Sequence, residues 1–567
     1  MKKHKPNSSG WLFDPINPNP EDWPIMQLAK DRPNFLAEVE EYVFNNIKES
    51  FKTLQDLNDE LASVLYQEKI RLKTNLWSAD PKDEKPFWKG IEKKMLDIES
   101  QVNPNGRYKE EEVLREIVHR YVHEIAGNFD LFTYNITKSL VTQWMSRLLN
   151  AGNGKGISGL WNIRRHLHDR IHLLGEVELI RKLAKTDTVV MVPTHFSNLD
   201  SPLIGWAIQS LGLPPFLYGA GLNLFGIGLF GYFMERLGAY KVDRRKKNSI
   251  YLETLKAYST LSIHRGCHSL FFPGGTRSRS GAVETKLKLG LLGTALEAQR
   301  LNFEKADSPE KAKRIFVVPV VINYNFVLEA PGLVDEHLKR AGQQRYFREN
   351  DNYSTSYQLV WFIFKLLTAS SEMALTFGRP TDLFGNEIDD EGNSLDQHGK
   401  KIDIEKYFFS NQENTQDLQR DAEYTKLLGK DIVKKYRTYN YIYPSHLVAY
   451  VAFEMMRKKY KKLDLYSFLR LEEENESIPG KEFKETIELF VGVLKQMRDN
   501  GKCMLDVRFD ALSIERVIEL GIRHLGLYNT KRPLKMKEDG SVVTEDFTLL
   551  YFYHNRMEGY GLAKLIQ

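Results

Sequence analysis

The chain has 567 residues, of which 42% are hydrophobic and 27% are charged. This length predicts two to four domains, and the hydrophobic content is ordinary for a globular protein. The net charge of +5 arises from 80 basic and 75 acidic residues, a balance that excludes a strongly basic nucleic-acid binder. Two cysteines, Cys267 and Cys503, cannot form a disulfide framework and fit a reducing compartment.

Residues 1–155 are predicted to form an N-terminal helical region. The first ten residues are basic, but no apolar stretch follows them, so we expect no signal peptide. After a proline-rich start, amphipathic stretches such as residues 132–149 indicate helices that bury one face. We find no internal repeat in the chain.

Residues 156–384 are predicted to form an α/β domain with a mostly parallel sheet and flanking helices, because strand patterns alternate with helix patterns. The predicted strands cover residues 188–194, 239–242, 268–272, 315–324 and 373–377. The predicted helices begin at Pro202 and cover residues 250–262 and 287–300.

The stretch 216–234 has no charged residue and approaches the ~20 residues needed to cross a bilayer. Glycines and Asn223 interrupt it, and a membrane span here would separate His195 from Arg277. We therefore predict a buried or interfacial hairpin. A basic cluster follows, formed by Lys241, Arg244, Arg245, Lys246 and Lys247. Such a cluster suits docking on anionic lipid, or it is an ordinary solvated run of charge.

Residues 385–567 are predicted to form a mainly helical C-terminal region. At its start, residues 385–401 are polar and acidic, and the spacing of Asp389, Asp390, Glu391 and Asp396 does not match a calcium-binding loop. We therefore predict a solvated connection there.

His195 and Asp200 are the first candidate catalytic residues. His195 follows the strand 188–194, and residues 200–202 are predicted as a helix start, with a capping residue followed by Pro202 at the first helical position. An ionised Asp beside an imidazole fixes its tautomer and stabilises the imidazolium, as a histidine general base requires. Because no Ser or Cys nucleophile in an elbow motif accompanies the pair, we predict that it activates a substrate hydroxyl.

Three further segments follow this pair in order, at residues 238–245, 271–281 and 317–323. Together the four segments resemble the four blocks of the glycerolipid acyltransferase superfamily, in which an H-x4-D pair is catalytic. Residues 219–224 and 236–239 resemble most the bacterial membrane-associated glycerol-3-phosphate acyltransferases. The C-terminal segments 443–446 and 549–556 are faintly similar to the same enzymes.

The resemblance implies that His195 and Asp200 are catalytic and that a second set of residues binds substrate. Arginine suits this role because a guanidinium fork matches phosphate oxygens. Backbone N–H groups of residues 274–276 are candidate donors to an oxyanion. The predicted substrate-binding residues are Arg244, Gly275, Thr276, Arg277, Ser278, Arg279 and Pro319.

The third block departs from the superfamily pattern Phe-Pro-Glu-Gly-Thr-Arg, because Gly274 stands where the Glu is usual. Either another carboxylate, with Glu284 as the candidate, substitutes for this Glu, or this chain works differently.

By this resemblance we expect transfer of an acyl chain from acyl-CoA or acyl carrier protein to the 1-hydroxyl of glycerol 3-phosphate, giving lysophosphatidic acid for phospholipid synthesis. The expected partners are these substrates and a membrane lipid surface, on whose cytoplasmic face the protein would be peripheral or monotopic. No metal, resident cofactor or nucleic acid is expected. The alternatives are acylation of lysophosphatidate (1-acylglycerol 3-phosphate), thioester hydrolysis in which His195 activates water, and a catalytically idle lipid-surface scaffold.

Overall fold

The computed structural model describes most of the chain. The described residues are 12–99, 109–139, 170–226, 228–308, 311–327, 329–340, 372–410, 413–414, 417–471, 477–526, 529 and 531–566. The basic N-terminus, the second half of the amphipathic stretch 132–149 and the predicted domain boundary at residues 155–156 lie outside them.

Seven strands form the central sheet, in the order β1-β7-β6-β2-β5-β3-β4. They are β1 (Ile171–Gly175), β2 (Thr188–Pro193), β3 (Leu217–Gly221), β4 (Ala239–Val242), β5 (Ser269–Leu270), β6 (Ile315–Tyr324) and β7 (Met373–Phe377). All neighbouring pairs are parallel except β6 and β7. The prediction of a mostly parallel sheet is therefore confirmed, and the carboxyl ends of β2, β4, β5 and β6 lie along one edge of it.

The strand predictions differ in accuracy. The strands at 239–242, 315–324 and 373–377 have the predicted bounds, whereas β2 ends one residue early and β5 is much shorter than predicted. β1 and β3 were not predicted. β3 contains two glycines, and its place in the sheet depends on pairing with β4 and β5, which local sequence cannot reveal.

Helices surround the sheet. The N-terminal ones are α1 (Pro24–Lys30), α2 (Arg32–Ser50), α3 (Leu54–Thr74), α4 (Glu84–Glu99) and α5 (Glu110–Ile125). Those of the α/β domain are α6 (Val177–Leu183), α7 (Asp200–Ser210), α8 (Gly228–Arg236), α9 (Ser249–His264), α10 (Gly290–Lys305) and α11 (Ala330–Arg340). The C-terminal ones are α12 (Leu418–Thr438), α13 (Pro444–Lys459), α14 (Leu465–Phe468), α15 (Gly480–Asp499), α16 (Arg508–Ala511), α17 (Ile514–His524) and α18 (Phe547–Glu558).

Both outer regions pack on the α/β domain. Helices α2 and α5 contact α9, and their buried side chains share a core with Tyr240 and Tyr258. Helices α13 and α18 pack against each other and share a second core with β2, β6 and α7. The C-terminal helices therefore complete the interior of the α/β domain, which explains why α18 reaches the candidate site described below.

The predicted hairpin at residues 216–234 is wrong. The stretch begins as β3, turns through Leu222–Leu224 and continues into α8. Its first half is uncharged because it lies inside the sheet. Of the helices that the structure describes, none combines the length and apolar character needed to cross a membrane.

The prediction that the basic cluster 241–247 is solvated or faces lipid is wrong for Arg245 and Lys246. Arg245 forms an ion pair with Asp80, and Lys246 is buried and forms ion pairs with Glu84 and Glu124. Apart from Asp243, which also pairs with Arg245, their counter-charges come from the N-terminal helical region, more than a hundred residues away. A local run of charge therefore gave no sign that these two side chains face inward.

The acidic connection contains a repeat, which contradicts the expectation that the chain has none. Three turns follow one another every seven residues, and in each an Asp carboxylate accepts main-chain N–H groups two and four residues later. Each turn also contains a glycine with a φ of 76–83°. The turns begin at Asp382, Asp389 and Asp396. The repeated features are turn-forming Asp and Gly residues, so a search for hydrophobic periodicity misses the repeat.

Candidate active site

His195 lies just beyond the carboxyl end of β2. Its Nδ1 is 2.8 Å from Oδ2 of Asp200, and its ring stacks on Phe272 with 4.3 Å between centroids. Because an ionised carboxylate only accepts hydrogen bonds, Nδ1 carries the proton and Nε2 is left as a proton acceptor. The imidazole is thus in the tautomer that a general base needs.

Asp200 is fully buried and satisfied on both oxygens. Oδ2 also accepts the N–H groups of Phe196 (2.6 Å) and Ser197 (2.8 Å), and Oδ1 accepts the hydroxyl of Tyr324 (2.6 Å). Burial and the charge of Asp200 together raise the pKa of Tyr324 well above its usual value, so this hydroxyl remains a donor. These contacts fix the carboxylate against the imidazole.

The local helix start differs from the prediction. Helix α7 begins at Asp200 itself, Leu199 occupies the capping position, and Pro202 is the third helical residue instead of the first. The Asp200 carboxylate turns back to the N–H groups of the preceding loop. Asp200 makes those bonds, and the bond to His195, from the first position of the helix.

Residues 274–281, here called the arginine loop, follow β5 and lie against His195. The N–H of Ser278 donates to the His195 carbonyl at 2.7 Å. Gly275 has a φ of +75°, and its N–H donates to the carbonyl of Phe272 at 3.0 Å. Of the predicted oxyanion donors, the Gly275 N–H is therefore engaged in a turn.

Arg277 is tied through Glu329 to residues 195–199, here called the catalytic loop because they carry the candidate base His195. Its Nη1 lies 3.4 Å from Oε1 of Glu329, and the same oxygen accepts the N–H of Asn198 at 2.8 Å. The other Glu329 oxygen lies 3.1 Å from the hydroxyl of Ser197. Burial raises the pKa of Glu329. Glu329, which follows β6, thus holds Arg277 beside the loop that carries His195.

Arg279 and Arg244 come together at two different strand ends. Arg279 pairs with Glu336 at 2.9 Å and donates to the Thr276 hydroxyl at 3.1 Å. Arg244 is exposed at the end of β4. The protein around it and the positive charge of Arg279 lower the pKa of Arg244. Two guanidinium groups whose positive charges act on each other in this way favour a nearby anion.

Among the predicted substrate-binding residues, Pro319 is not brought to this cluster. It lies buried within β6, paired with Val192 of β2. Its ring packs against Gly378, where an added Cβ would lie 2.9 Å from Pro319 Cγ. The structure thus gives Pro319 a place in the sheet interior, whereas His195, Asp200, Arg244 and residues 275–279 share one region.

Four residues of this region were not predicted from the sequence. Tyr324 and Glu329 bind the catalytic loop as described, and the Lys288 side chain lies over Gly275. Arg556, on α18, places its guanidinium carbon 3.5 Å from the centroid of the Phe196 ring. Burial lowers the pKa of Arg556 to about 10. Arg556 is far from His195 along the chain, and its sequence signal was the faint similarity of residues 549–556 to the glycerol-3-phosphate acyltransferases.

Glu284, the candidate substitute for the Glu that is usual at position 274, lies beside Gly274 and the main chain of His195. Its Oε1 accepts the N–H of His195 at 2.7 Å. Burial raises the pKa of Glu284 to about 7, even though the bond from His195 works in the opposite direction. A Cβ added to Gly274 would lie 3.2 Å from that same oxygen.

Residues able to hold a metal ion lie elsewhere. In the part of the chain that the structure describes, the one group of three such ligands is Glu40, His119 and His123, on α2 and α5. The arginines around His195 oppose a divalent cation there. The site has instead a base, an orienting carboxylate and several cations suited to a phosphate group.

Comparison with known proteins agrees with this chemistry. The sequence model of the family described as "Acyltransferase" matches residues 175–323. The chain is similar to a glycerol-3-phosphate acyltransferase of Pseudomonas paraeruginosa, with 25% identity over 362 residues, 61% of this chain and 36% of that protein. It is also similar to a glycerol-3-phosphate acyltransferase of Histophilus somni, with 31% identity over 170 residues, 30% of this chain and 20% of that protein.

The chain therefore spans about a third or less of the length of these curated relatives. Among solved structures, the 1-acyl-sn-glycerophosphate acyltransferase of Thermotoga maritima aligns with 53% of this chain and 92% of its own, at 15% identity and a TM-score of 0.24.

Proposed function

We propose that this protein, whose α/β domain belongs to the glycerolipid acyltransferase superfamily, transfers an acyl chain from a thioester donor to the 1-hydroxyl of glycerol 3-phosphate. The donor is acyl-CoA or acyl-acyl carrier protein, and the product is lysophosphatidic acid. The observation that carries the proposal is the His195–Asp200 pair, hydrogen-bonded at 2.8 Å, beside the cations of the arginine loop.

The reaction follows from the tautomer of His195. Nε2 accepts the proton of the acceptor hydroxyl, whose oxygen attacks the thioester carbonyl carbon. A C–O bond forms, the C–S bond breaks, and the departing thiolate takes the proton from the imidazolium. Asp200 stabilises the imidazolium throughout. General-base catalysis of this kind contributes about 10²- to 10⁴-fold.

A phosphorylated acceptor is supported by the charge of the site. Arg244, Arg277 and Arg279 come from two strand ends, and a guanidinium can bind two phosphate oxygens at once. Arg277 and Arg279 are paired with Glu329 and Glu336, so a phosphate dianion must compete with these carboxylates. Arg244 has no such ion pair within the described residues and can meet the phosphate directly.

We also propose that the protein works at the cytoplasmic face of a membrane, as a peripheral or monotopic protein. Support comes from exposed apolar side chains near α8. Leu76, Trp77 and Tyr232 are 43%, 37% and 48% exposed. Gly226, just before α8, approaches Ser78 of the loop that carries the first two. An apolar rim of this kind suits a lipid surface.

The proposal is tested by offering purified protein a labelled acyl donor, as acyl-CoA or acyl carrier protein, with glycerol 3-phosphate, dihydroxyacetone phosphate, lysophosphatidate or no acceptor. We expect transfer to glycerol 3-phosphate. His195→Ala should abolish it, whereas the matched control His119→Ala, at an exposed histidine on α5, should retain it.

Three outcomes would overturn the proposal. Transfer to lysophosphatidate alone assigns the second acylation step to this site. Thiol release without any acceptor assigns a hydrolase. Vesicle binding without turnover of any donor and acceptor pair assigns a lipid-surface scaffold.

A further inference from the structure

The backbone at Gly274 does not require glycine. Its neighbour Gly275 has a φ of +75°, in the left-handed region that favours glycine, but Gly274 does not lie in that region. An added Cβ at Gly274 would instead meet Glu284, at 3.1 Å from Cγ and 3.2 Å from Oε1. Glycine at position 274 is therefore explained by space, and the space is filled by the side chain of Glu284.

Glu284 reaches the catalytic histidine through this space. Its Oε1 accepts the main-chain N–H of His195 at 2.7 Å, and the His195 carbonyl accepts the N–H of Ser278 at 2.7 Å. Both main-chain polar groups of His195 are thus bound by residues 278–284, which follow β5. A main chain held on both sides fixes the direction in which the imidazole leaves it.

The carboxyl group of Glu284 is more than a packing element. Its second oxygen is buried and has no hydrogen-bond partner within the described residues. Burial raises its pKa to about 7, which the charge of Arg556 opposes and that of Asp200 assists. A buried, partly unsatisfied carboxyl group costs stability, so its presence here calls for a functional reason.

We propose that Glu284 is a positioning residue of the acyl-transfer site, which holds the main chain of His195 with a carboxyl group that occupies the space left by Gly274. The inference rests on the proposed function. It implies that the same carboxyl group can be supplied from position 274 when residue 284 is shortened, because both side chains enter one space.

Relocation of the carboxyl group is the decisive experiment. The variants are Glu284→Ala, the double variant Gly274→Glu/Glu284→Ala, and the matched control Ala282→Glu/Glu284→Ala. Ala282 lines a cavity with Arg437 and Tyr560, whereas the space beside Gly274 is occupied by the Glu284 side chain, so position 282 tests a carboxylate that does not start from that space. Each variant is assayed for kcat and KM in acyl transfer, and by hydrogen–deuterium exchange of peptides covering residues 190–199.

We expect Glu284→Ala to lower kcat about 10- to 100-fold, the range for one hydrogen bond to a charged group. KM for both substrates should change little, and the amides of residues 194–198 should exchange faster. The Gly274→Glu/Glu284→Ala variant should regain at least tenfold in kcat and recover slow exchange. The Ala282→Glu/Glu284→Ala control should behave like Glu284→Ala.

Native kcat and native exchange in Glu284→Ala overturn the inference, as does equal rescue by the two double variants. If Glu284→Ala fails to fold, Glu284→Gln replaces it, because the amide oxygen can still accept the His195 N–H. That variant should keep slow exchange and kcat within about tenfold of the wild type, and fast exchange in the folded protein overturns the inference. If the wild type transfers no acyl group, the proposed function fails, while the exchange measurements still decide whether Glu284 holds His195.

Discussion

Asp200→Asn is the sharpest test of the catalytic pair, because it removes a charge with almost no change in shape. The carboxylate accepts three hydrogen bonds at Oδ2 and one at Oδ1. An amide has one accepting oxygen and one donating nitrogen. If the Asn oxygen keeps the three bonds, its NH₂ group faces the Tyr324 hydroxyl, and if it turns, the NH₂ group faces His195 and the N–H groups of the loop.

The magnitude follows from these two arrangements. Losing one hydrogen bond to a charged group costs about 1.5–3 kcal/mol of stability. In the turned arrangement the NH₂ group donates to Nδ1, so the proton moves to Nε2 and the base is lost. Where an Asp orients a catalytic imidazole in hydrolytic triads, the same change lowers kcat by about 10⁴. We therefore expect a 10²- to 10⁴-fold loss of kcat here.

The assay is acyl transfer to glycerol 3-phosphate at saturating substrates, alongside urea unfolding. Tyr324→Phe is the matched control, because it removes the single bond at Oδ1 and leaves the charge and the contact with His195. It should cost about 1–3 kcal/mol of stability and less than tenfold in kcat. A folded Asp200→Asn protein with kcat within tenfold of the wild type would refute the role of Asp200 as the orienting carboxylate.

Three other predictions concern charged groups. Arg277→Ala should raise the KM for glycerol 3-phosphate about 10- to 100-fold and leave the donor KM unchanged. Arg277→Lys should recover part of this loss. Equal shifts of both KM values would rule out a phosphate contact. Lys246→Met should cost about 1.5–3 kcal/mol in urea unfolding, because Glu84 and Glu124 lose one cation and keep Arg71 and Arg120. No difference from the exposed control Lys247→Met would contradict the pairing. Burial raises the pKa of Glu284 from 4.5 to about 7, so the folded state holds this proton more tightly than the unfolded state. The free energy of unfolding of the wild type should therefore fall as the pH rises from 4.5 to 7. Glu284→Gln lacks this titration, so its stability relative to the wild type should be about 2.5 kcal/mol greater at pH 8 than at pH 5. An equal difference at both pH values would refute the shift.

The sequence predicted the elements whose signal is local. β6 is long, continuously apolar and buried on both faces, so its bounds were predicted correctly. β3 is a short, glycine-containing segment that is only partly buried, and its neighbours β4 and β5 define it as a strand. The buried state of Lys246 was likewise set by Glu84 and Glu124 of the N-terminal region.

For the candidate site, the resemblance to the acyltransferase blocks predicted His195, Asp200 and the arginine loop, and the structure brings these residues into one region. The sequence did not predict the residues that hold those groups in place. Glu329 binds Arg277 and the catalytic loop only because β6 ends beside β2. Pro319 was included by resemblance, but it is buried within β6 and its ring packs beside Gly378.

The residues that contact the catalytic loop come from more of the chain than the part that matches the acyltransferase family. The match to the acyltransferase family ends at residue 323, one residue before Tyr324, whose hydroxyl binds Asp200. Glu329 lies beyond it, as does Arg556, whose guanidinium packs on the ring of Phe196 beside His195. Residues 175–323 therefore contain the catalytic pair and Glu284, but lack three of the contacts that orient them. Because the helix carrying Arg556 shares a core with β2 and β6, the C-terminal helical region is part of the structure that supports the candidate site.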